Sequence, residues 1–432
     1  MMKVIDLIEH GPESELVELN PHDVDRIEKQ NDEDEAKFHR NLKKLEIIRT
    51  NGKYRLKAKG HVGSISLPSS NLTIEIKPRF GNAWGNLFKL FEETETIDPN
   101  YGGNIVQAES GKNLWDILAN NFYKKTLHLI KSGLYRKYIT KTEEINSIRG
   151  RLLLVQNIRS GQKFRVKHWC EFDELSYDVP ENQYVLYCTN LLLRFVKSEK
   201  IKQDLVGIKN IILSQDVTLK HKFTLADAKS IPTNRMNQKY QPVFRYCELI
   251  LNSMAYEKFS DMKGVPIPDF TLSMWDLFEK FVHIVLKKYY KEKSKEVVYQ
   301  KHYKQIVERD PDYDNRVKYP NPTKLEPDNV LTDTEKDTKL VLDTKWKRKV
   351  APGDWYQAIS YSLALKCDTI LLMPKFEEKY SDGFKIPDEY FEEKNLTIHV
   401  KTIDFEQASK SEDFIGDLKS QIYEIVDKIK LK

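Results

Sequence analysis

The sequence has few of the residues and runs that mark secreted, membrane-spanning or zinc-binding proteins. Only 4 of its 432 residues are cysteine, and no two of them form a C-x-x-C pair. A disulfide framework and a zinc site are therefore not indicated, and scattered thiols are typical of the reducing cytoplasm. No apolar run approaches the roughly 18 residues that a transmembrane helix needs, and the first residues do not form a signal peptide. We therefore expect a cytoplasmic protein that makes no contact with a membrane.

A nucleotide-binding loop and a strong net charge are missing as well. The pair Gly111-Lys112 lacks the upstream glycine and the following Ser or Thr of a P-loop, so we expect this chain to bind no nucleotide itself. The 70 Lys and Arg residues are offset by 65 Asp and Glu, which leaves a net charge of only +5. Overall charge therefore does not by itself predict a nucleic-acid partner.

The sequence does contain enough apolar material for several hydrophobic cores. Hydrophobic residues make up 40% of the chain and aromatic residues 11%, as in globular proteins, and the length predicts two or three domains. We predict a β-rich N-terminal domain over residues 1–112, a mostly helical middle region over 113–265 and an α/β domain over 266–432. The second boundary is placed at Pro266-Ile267-Pro268.

Periodicity predicts the main elements of the first two regions. Alternation and turn signals predict strands, which are Val4–Leu7, Leu42–Thr50, Tyr54–Val62, Ile65–Pro68 and Leu72–Arg79. The second and third of these should form a hairpin at Asn51-Gly52. Apolar residues at helical spacing predict helices, which are Leu114–Tyr138 (interrupted near Ser132-Gly133), Gln183 to about Lys200, and Tyr240–Met254.

The stretch from Lys324 to Tyr361 contains the candidate catalytic residues. It predicts two strands, Asn329–Leu331 and Leu340–Trp346, joined by a polar turn. If these strands pair, Asp328 comes close to Asp343, and Lys345 shares a strand face with Asp343 because alternate residues point the same way.

Two carboxylates and an ammonium suit phosphodiester hydrolysis. Carboxylate oxygens can hold Mg²⁺, or Mn²⁺ in its place, with positions left for water and phosphate oxygens. The lysine can then orient the attacking water and neutralise the charge that builds on phosphorus. The alternative reading of Asp343-Thr344-Lys345 is an ordinary strand end with solvated charges.

Neighbouring residues extend this pattern. Asp354 should cap a helix that runs to about Lys366, and that helix places Gln357 and Tyr361 on one face because they lie four residues apart. The next strand, Cys367–Pro374, should run parallel to its predecessor.

Two further groups of charged residues lie around this stretch. Glu279 lies on or beside the apolar face of a helix over Met274–Tyr290. A carboxylate there is costly without a metal or a cation as partner, unless it sits at the exposed edge. Lys347 and Arg348 follow the second strand and could neutralise DNA phosphates beside the site.

The order of these motifs resembles the PD-(D/E)XK nuclease core, in the branch with a Gln-x-x-x-Tyr helix. The matching residues are Glu279, Pro327-Asp328, Asp343-Thr344-Lys345 and Gln357 to Tyr361. The resemblance implies that Asp328, Asp343 and Glu279 bind Mg²⁺. It also implies that Lys345 assists the attacking water and that Gln357 and Tyr361 lie at the substrate edge.

A second resemblance, to the McrC family, covers most of the chain. It rests on Ile74–Gly81, Ile148–Arg151, Val179–Asn182 and Leu277–Phe281. McrC is the nuclease subunit of McrBC-type systems that cut DNA containing modified cytosine. The resemblance implies double-stranded DNA as substrate, and an N-terminal region that docks into a McrB-like AAA+ GTPase hexamer and stimulates it.

Two rival functions stay open on the sequence alone. The chain could be a non-catalytic adaptor that clamps DNA and activates a GTPase, although the complete acid-acid-lysine set disfavours this. It could also be a standalone defence or repair nuclease, which the long N-terminal half without catalytic motifs disfavours. Cleavage assays with and without a partner separate the three functions.

Overall fold

The computed structural model describes most of the chain, with several gaps. The described residues are 3–38, 43–95, 114–159, 167–220, 222–255, 270–291, 296–301, 325–333, 338–376, 384–385 and 396–429. Gly111-Lys112, the boundary predicted at residues 112/113 and the Pro266-Ile267-Pro268 boundary lie outside them.

Strands and helices alternate along the described residues. The strands are β1 (Lys3–Ile8), β2 (Leu45–Thr50), β3 (Lys53–Ala58), β4 (His61–Leu67), β5 (Leu72–Lys77), β6 (Lys137–Ile145), β7 (Arg151–Leu152), β8 (His168–Ser176), β9 (Phe270–Ser273), β10 (Glu296–Tyr299), β11 (Asn329–Asp333), β12 (Thr338–Thr344), β13 (Asp368–Pro374), β14 (Phe384–Lys385) and β15 (Thr397–Ile403). The helices are α1 (Pro21–Phe38), α2 (Ala83–Glu95), α3 (Leu114–Lys131), α4 (Leu154–Arg159), α5 (Pro180–Leu192), α6 (Glu199–Leu213), α7 (Leu225–Lys229), α8 (Gln241–Ala255), α9 (Met274–Lys291), α10 (Pro352–Leu365), α11 (Phe405–Ser409) and α12 (Phe414–Lys428). The predicted mixture of helices and strands, with a β-rich N-terminal region, is confirmed.

The chain folds into two compact units. Residues 1–97 and 271–432 form the first unit, and residues 98–270 form the second. The sequence predicts three domains, with the N-terminal and C-terminal regions apart, whereas here these two regions share one unit. None of the helices in the described ranges has the length and apolarity needed to cross a membrane.

A mixed sheet in the first unit positions the candidate site. Its order is β10-β11-β12-β13-β15-β14. The hairpin partners β11 and β12 are antiparallel, and β12, β13 and β15 run parallel, so α10 makes the predicted crossover between β12 and β13. Every residue of β13 is buried, as expected for a parallel strand covered on both faces. Helix α10 covers one face of this strand, where its Ala358 packs with Leu371 and Met373.

A second sheet has the order β1-β5-β4-β9, with β1, β4 and β5 from the N-terminal residues and β9 from the residues just before α9. Beside it, β2 and β3 pair as the predicted hairpin. Asn51 and Gly52 at its turn both have positive φ, 50° and 78°, as this tight turn requires. Helix α1 was not predicted, because its sequence is mainly charged and only a few apolar residues such as Val24 and Ile27 reach the core.

The second unit holds α3 to α8, but it has more strand than predicted. The predicted helix Leu114–Tyr138 ends at Lys131, since Gly133 adopts a φ of 86° that ends helices readily. The chain continues as β6, which pairs with β8. The prediction of a single helix to about Lys200 was also wrong, because α5 ends at Leu192 and α6 follows. By contrast, α8 confirms the predicted helix Tyr240–Met254 to within a residue.

Candidate active site

The hairpin of β11 and β12 brings the two predicted aspartates together. Asn329 pairs with Leu342, so Asp328, one residue earlier, lies level with Asp343, one residue later. Both residues are buried, with 5% and 1% of their surface exposed. The strand pairing that the sequence predicts is therefore confirmed, and it places both side chains at the end of the hairpin.

Asp328 is fixed in place by Thr344. Its Oδ2 accepts hydrogen bonds from the backbone N (2.7 Å) and from the hydroxyl Oγ1 (2.6 Å) of Thr344. This role was not predicted from the sequence, although Thr344 lies between the two residues of the Asp-x-Lys motif. Two donors on one oxygen orient the carboxylate and leave its other oxygen available.

Asp343 forms an ion pair but no well-directed hydrogen bond among the described residues. Lys345 Nζ lies 2.5 Å from its Oδ2, and both Oδ1 and Oδ2 are buried without a hydrogen-bond partner in this part of the chain. A buried, unsatisfied carboxylate oxygen is costly. The Oδ1 atom, which takes no part in the ion pair, is therefore open to a partner that the described residues do not supply.

Burial and mutual repulsion shift the ionisation of these groups. Burial, followed by the charge of Glu279, raises the pKa of Asp328 to about 6. Burial, followed by the charge of Asp328, raises the pKa of Asp343 to about 7. Burial lowers the pKa of Lys345, but the charges of Asp343 and Asp328 outweigh it, so its pKa is raised overall and it stays protonated. The site therefore concentrates negative charge that one lysine does not fully offset.

The residues present fit a Mg²⁺ ion held by two carboxylates. Among the described residues, no three His, Cys, Asp or Glu side chains are arranged to hold a metal. Mg²⁺ does not need three, because it commonly binds one or two carboxylates and completes its shell with water and substrate phosphate. Asp328 and Asp343, with the unpartnered Oδ1, meet this requirement.

Glu279 lies on α9 close to this pair. It is 6% exposed, and its Oε1 accepts a hydrogen bond from Gln300 Nε2 at 2.6 Å. Its charge also raises the pKa of the Tyr299 hydroxyl, after burial, which is the larger cause. Glu279 is therefore oriented by residues at the end of β10, and its direct binding of a metal stays a prediction.

The Gln-x-x-x-Tyr pair of α10 holds the segment that leads into β11. Gln357 Nε2 donates to the Tyr361 hydroxyl (2.7 Å), and this hydroxyl donates to the carbonyl of Glu326 (3.0 Å). Glu326 lies two residues before Asp328, so the buried Tyr361 ties the helix to the segment that leads into β11.

The predicted start of α10 was wrong by three residues. The helix begins at Pro352, and Asp354 lies inside its first turn, where its Oδ2 accepts a hydrogen bond from the backbone N of Ala351. Proline is favoured at the first helical position because its φ is already helical and its missing N–H is not needed there.

The two predicted phosphate contacts have different surroundings. Lys347 Nζ forms an ion pair with Asp354 Oδ1 at 2.7 Å, which offsets part of its charge. Arg348 is exposed.

Glu9 is a further residue of the site region that sequence reasoning missed. It lies directly after β1, is completely buried, and accepts hydrogen bonds from Trp346 Nε1 (3.0 Å) and the backbone N of Arg79 (3.2 Å). The Trp346 ring also packs edge-on against Phe278. No local sequence pattern signals the contact, because 337 positions separate Glu9 from Trp346. Through it, the N-terminal region fixes the residue that follows Lys345.

Removal of the Tyr361 hydroxyl should loosen this region without destroying it. In Tyr361→Phe the Glu326 carbonyl and the Gln357 amide each lose a partner, so we expect a loss of about 1–3 kcal/mol in the free energy of unfolding. Urea denaturation measures this loss. The matched variant Tyr356→Phe, in an exposed tyrosine of the same helix, should be neutral, and an equal loss in both variants would contradict the role given to Tyr361.

Comparison with known proteins matches this chain to one family. A family model described as "McrBC 5-methylcytosine restriction system component" matches residues 56–373. No curated protein matches the chain.

Two solved structures resemble the chain. One is described as a refined half-complex from a tetradecameric assembly of Thermococcus gammatolerans McrB AAA+ hexamers with bound McrC. A chain of that structure is 16% identical, with a TM-score of 0.68, and the match covers 98% of this chain and 100% of that chain. The other is a cryo-EM structure of the Thermococcus gammatolerans McrBC complex, with 18% identity, a TM-score of 0.48, and coverage of 66% of this chain and 87% of that chain. The first likeness shows a shared fold.

Proposed function

The chain belongs to the family of McrBC 5-methylcytosine restriction system components, and on that premise we propose that it is the DNA-cutting subunit of such a system. The family predicted from the sequence is confirmed. The proposed reaction is Mg²⁺-dependent hydrolysis of phosphodiester bonds in double-stranded DNA that contains methylcytosine. The proposed partner is a McrB-like AAA+ GTPase hexamer, because the solved complex that shares this fold contains McrB AAA+ hexamers with bound McrC. The proposed location is the cytoplasm.

One observation carries the nuclease assignment. Asp328 and Asp343 are buried side by side, Lys345 lies 2.5 Å from Asp343 Oδ2, and the other oxygen of Asp343 has no donor within the described residues. A merely structural cluster would satisfy this oxygen, because an unsatisfied buried carboxylate destabilises the fold. The same arrangement suits a site that takes up a cation together with its substrate, and it supports the PD-(D/E)XK assignment of this sheet.

The side chains divide the chemistry between them. Asp328 and Asp343 would hold Mg²⁺, which when bound supplies an acidified water and offsets the charge on phosphorus. Thr344 keeps the Asp328 carboxylate oriented through its two hydrogen bonds. Lys345 is protonated and can donate a hydrogen bond to the attacking water or to a phosphate oxygen as negative charge develops there. Gln357 and Tyr361 hold the segment before Asp328 in place, and Glu279 adds negative charge from α9.

Plasmid cleavage tests the proposal and separates it from its rivals. A plasmid methylated at cytosine is incubated with the wild-type chain and Mg²⁺, with and without the AAA+ partner and GTP. We expect cutting only when chain, Mg²⁺, partner and GTP are all present. Cutting by the chain alone would favour a standalone nuclease. GTP turnover stimulated by the chain with no cutting under any condition would favour the non-catalytic adaptor and overturn the proposal.

A further inference from the structure

A large basic cavity of the first unit reaches the candidate site at Arg348, and none of its other lining residues has a role in that site. Its volume is about 860 Å³, within the range of roughly 300–1,000 Å³ that is common for ligand pockets. Its lining comes from the end of β1 and the loop after it, from β3, from the segment after β5, and from Arg348 and Glu406. We call it the basic cavity and define it by four cationic residues of its lining, which are Arg55, Lys57, Arg79 and Arg348.

The backbone directs these cations into the cavity. Arg55 and Lys57 are alternate residues of β3 and share one face, while Leu56 and Ala58 on the other face are fully buried. Arg79 is exposed between the buried Pro78 and Phe80.

Contacts with its neighbours hold Arg79 in place. Its guanidinium lies 5.4 Å from the centre of the Phe376 ring, and its Nη1 donates to the carbonyl of His10 (3.4 Å). A guanidinium that is already positioned loses little freedom when it binds a phosphate.

The lining holds two carboxylates, Glu13 and Glu406, against its four cationic side chains. Glu13 lies 3.8 Å from Arg55 in a partly exposed pair, which contributes little, and Glu406 Oε2 accepts a hydrogen bond from the backbone N of Gly81 at 3.1 Å. The positive potential also reaches His10 in the cavity wall. Burial, followed by the charges of Lys59, Arg348 and Arg79, lowers the pKa of His10 to about 4.

Short links connect the cavity to the candidate site. Arg348 follows Lys345 by three residues, and Glu9, next to His10, holds the Trp346 indole. The Phe376 ring, over which the Arg79 guanidinium lies, has its centre 5.8 Å from the centre of the Trp346 ring. A polyanion bound at Asp328 and Asp343 would therefore have a second, positively charged surface nearby.

We propose that the basic cavity binds backbone phosphates of the duplex that is cut at the candidate site, so that strands of the N-terminal region form part of the DNA interface. The proposal rests on the proposed function, since it assigns a second contact to the same substrate. Phosphates of a free nucleotide share this chemistry and are distinguished in the test.

The test compares two double variants of the full chain that remove equal charge from the same hairpin. Arg55→Gln/Lys57→Gln alters the cavity, whereas Arg49→Gln/Lys53→Gln removes two cations outside its lining. Binding of a 30-base-pair methylated duplex is measured without Mg²⁺ at several salt concentrations, and binding of GTP is measured in parallel. For the cavity variant we expect affinity to fall by about tenfold or more, and the slope of log K against log salt to shrink by about 2, at roughly 0.9 per lost phosphate contact. The control variant should bind like the wild type.

Several results would overturn the proposal. These are no measurable duplex binding by the wild type, equal losses in both double variants, or an unchanged salt slope in the cavity variant. Loss of GTP binding with duplex binding intact would assign the cavity to a nucleotide instead. A single variant at another element of the lining, Arg348→Gln, is measured too, and it should reduce the slope by about 1. Duplex binding is measured without cleavage, so the two proposals can fail separately. If the wild type cuts DNA but the cavity variant keeps the wild-type salt slope, only the cavity proposal is refuted. If the salt slope of the cavity variant shrinks but the wild type does not cut DNA, only the nuclease proposal is refuted.

Discussion

Asp343→Asn should abolish DNA cleavage while it leaves the fold intact. The amide cannot supply the charged oxygen that a metal needs, and loss of about 4 kcal/mol of transition-state stabilisation corresponds to about a 1,000-fold lower rate. The fold should tolerate the change, because the amide oxygen can still face Lys345, and removal of the charge relieves the cost of burial and the repulsion from Asp328. Cleavage rates at saturating Mg²⁺ measure the first effect, and melting temperatures with and without Mg²⁺ measure the second.

A neighbouring aspartate provides the control for this variant. Asp368 on β13 is also buried, but its Oδ1 accepts a hydrogen bond from the backbone N of Thr397 at 2.9 Å. Asp368→Asn should therefore lower the melting temperature and keep cleavage, the opposite of Asp343→Asn. Only the wild type and Asp368→Asn should melt at a higher temperature when Mg²⁺ is added. Wild-type cutting by Asp343→Asn would remove the site assignment.

Glu9 should make the stability of the first unit depend strongly on pH. Burial raises the pKa of Glu9 from 4.5 to about 7, although hydrogen bonds from Trp346 and Arg79 oppose the shift. Between these pH values the folded chain binds the proton that the unfolded chain has released, so the free energy of unfolding falls as pH rises. At 1.36 kcal/mol per pKa unit the loss is about 3 kcal/mol, complete above pH 7.

Glu9→Gln should remove this contribution to the pH dependence. The amide oxygen can accept one of the two hydrogen bonds, but the amide NH₂ group then faces the other donor. The variant is therefore expected to be less stable than the wild type near pH 4.5. The deficit should shrink by about 3 kcal/mol as pH rises to 7. Urea denaturation at a series of pH values measures the difference. Glu18→Gln, at a side chain with 81% of its surface exposed, serves as control, and a constant deficit across the pH range for Glu9→Gln would contradict the assignment.

The part of the site that lies within one short stretch could be predicted from the sequence. The strands flanking Asp328 and Asp343 are short apolar runs separated by a polar turn, which predicts both their pairing and the face on which Lys345 lies. The helix after them was also predicted, but its start was placed at Asp354 when the helix in fact begins at Pro352. These features depend on neighbours in sequence, which a pattern of polarity records.

Other features depend on contacts between distant residues, which no local pattern records. Glu9 reads as an unremarkable residue after a strand, and only the fold shows that it holds Trp346. Charged α1 has too few apolar residues for its periodicity to stand out, and β6 is largely exposed, so it lacks the alternation of burial that identifies a strand. The joining of residues 1–97 and 271–432 into one unit is hidden for the same reason.

Cleavage by Lys345→Ala in the presence of the AAA+ partner is the most direct test of the central claim, that this site hydrolyses DNA. Single-turnover cutting of a methylated plasmid and GTP turnover are followed in the same reaction, for the variant and for the wild type. The site described here predicts that cutting falls by at least about 100-fold, while GTP turnover stays at the wild-type rate. Cutting by Lys345→Ala at the wild-type rate would show that the hydrolytic site lies elsewhere.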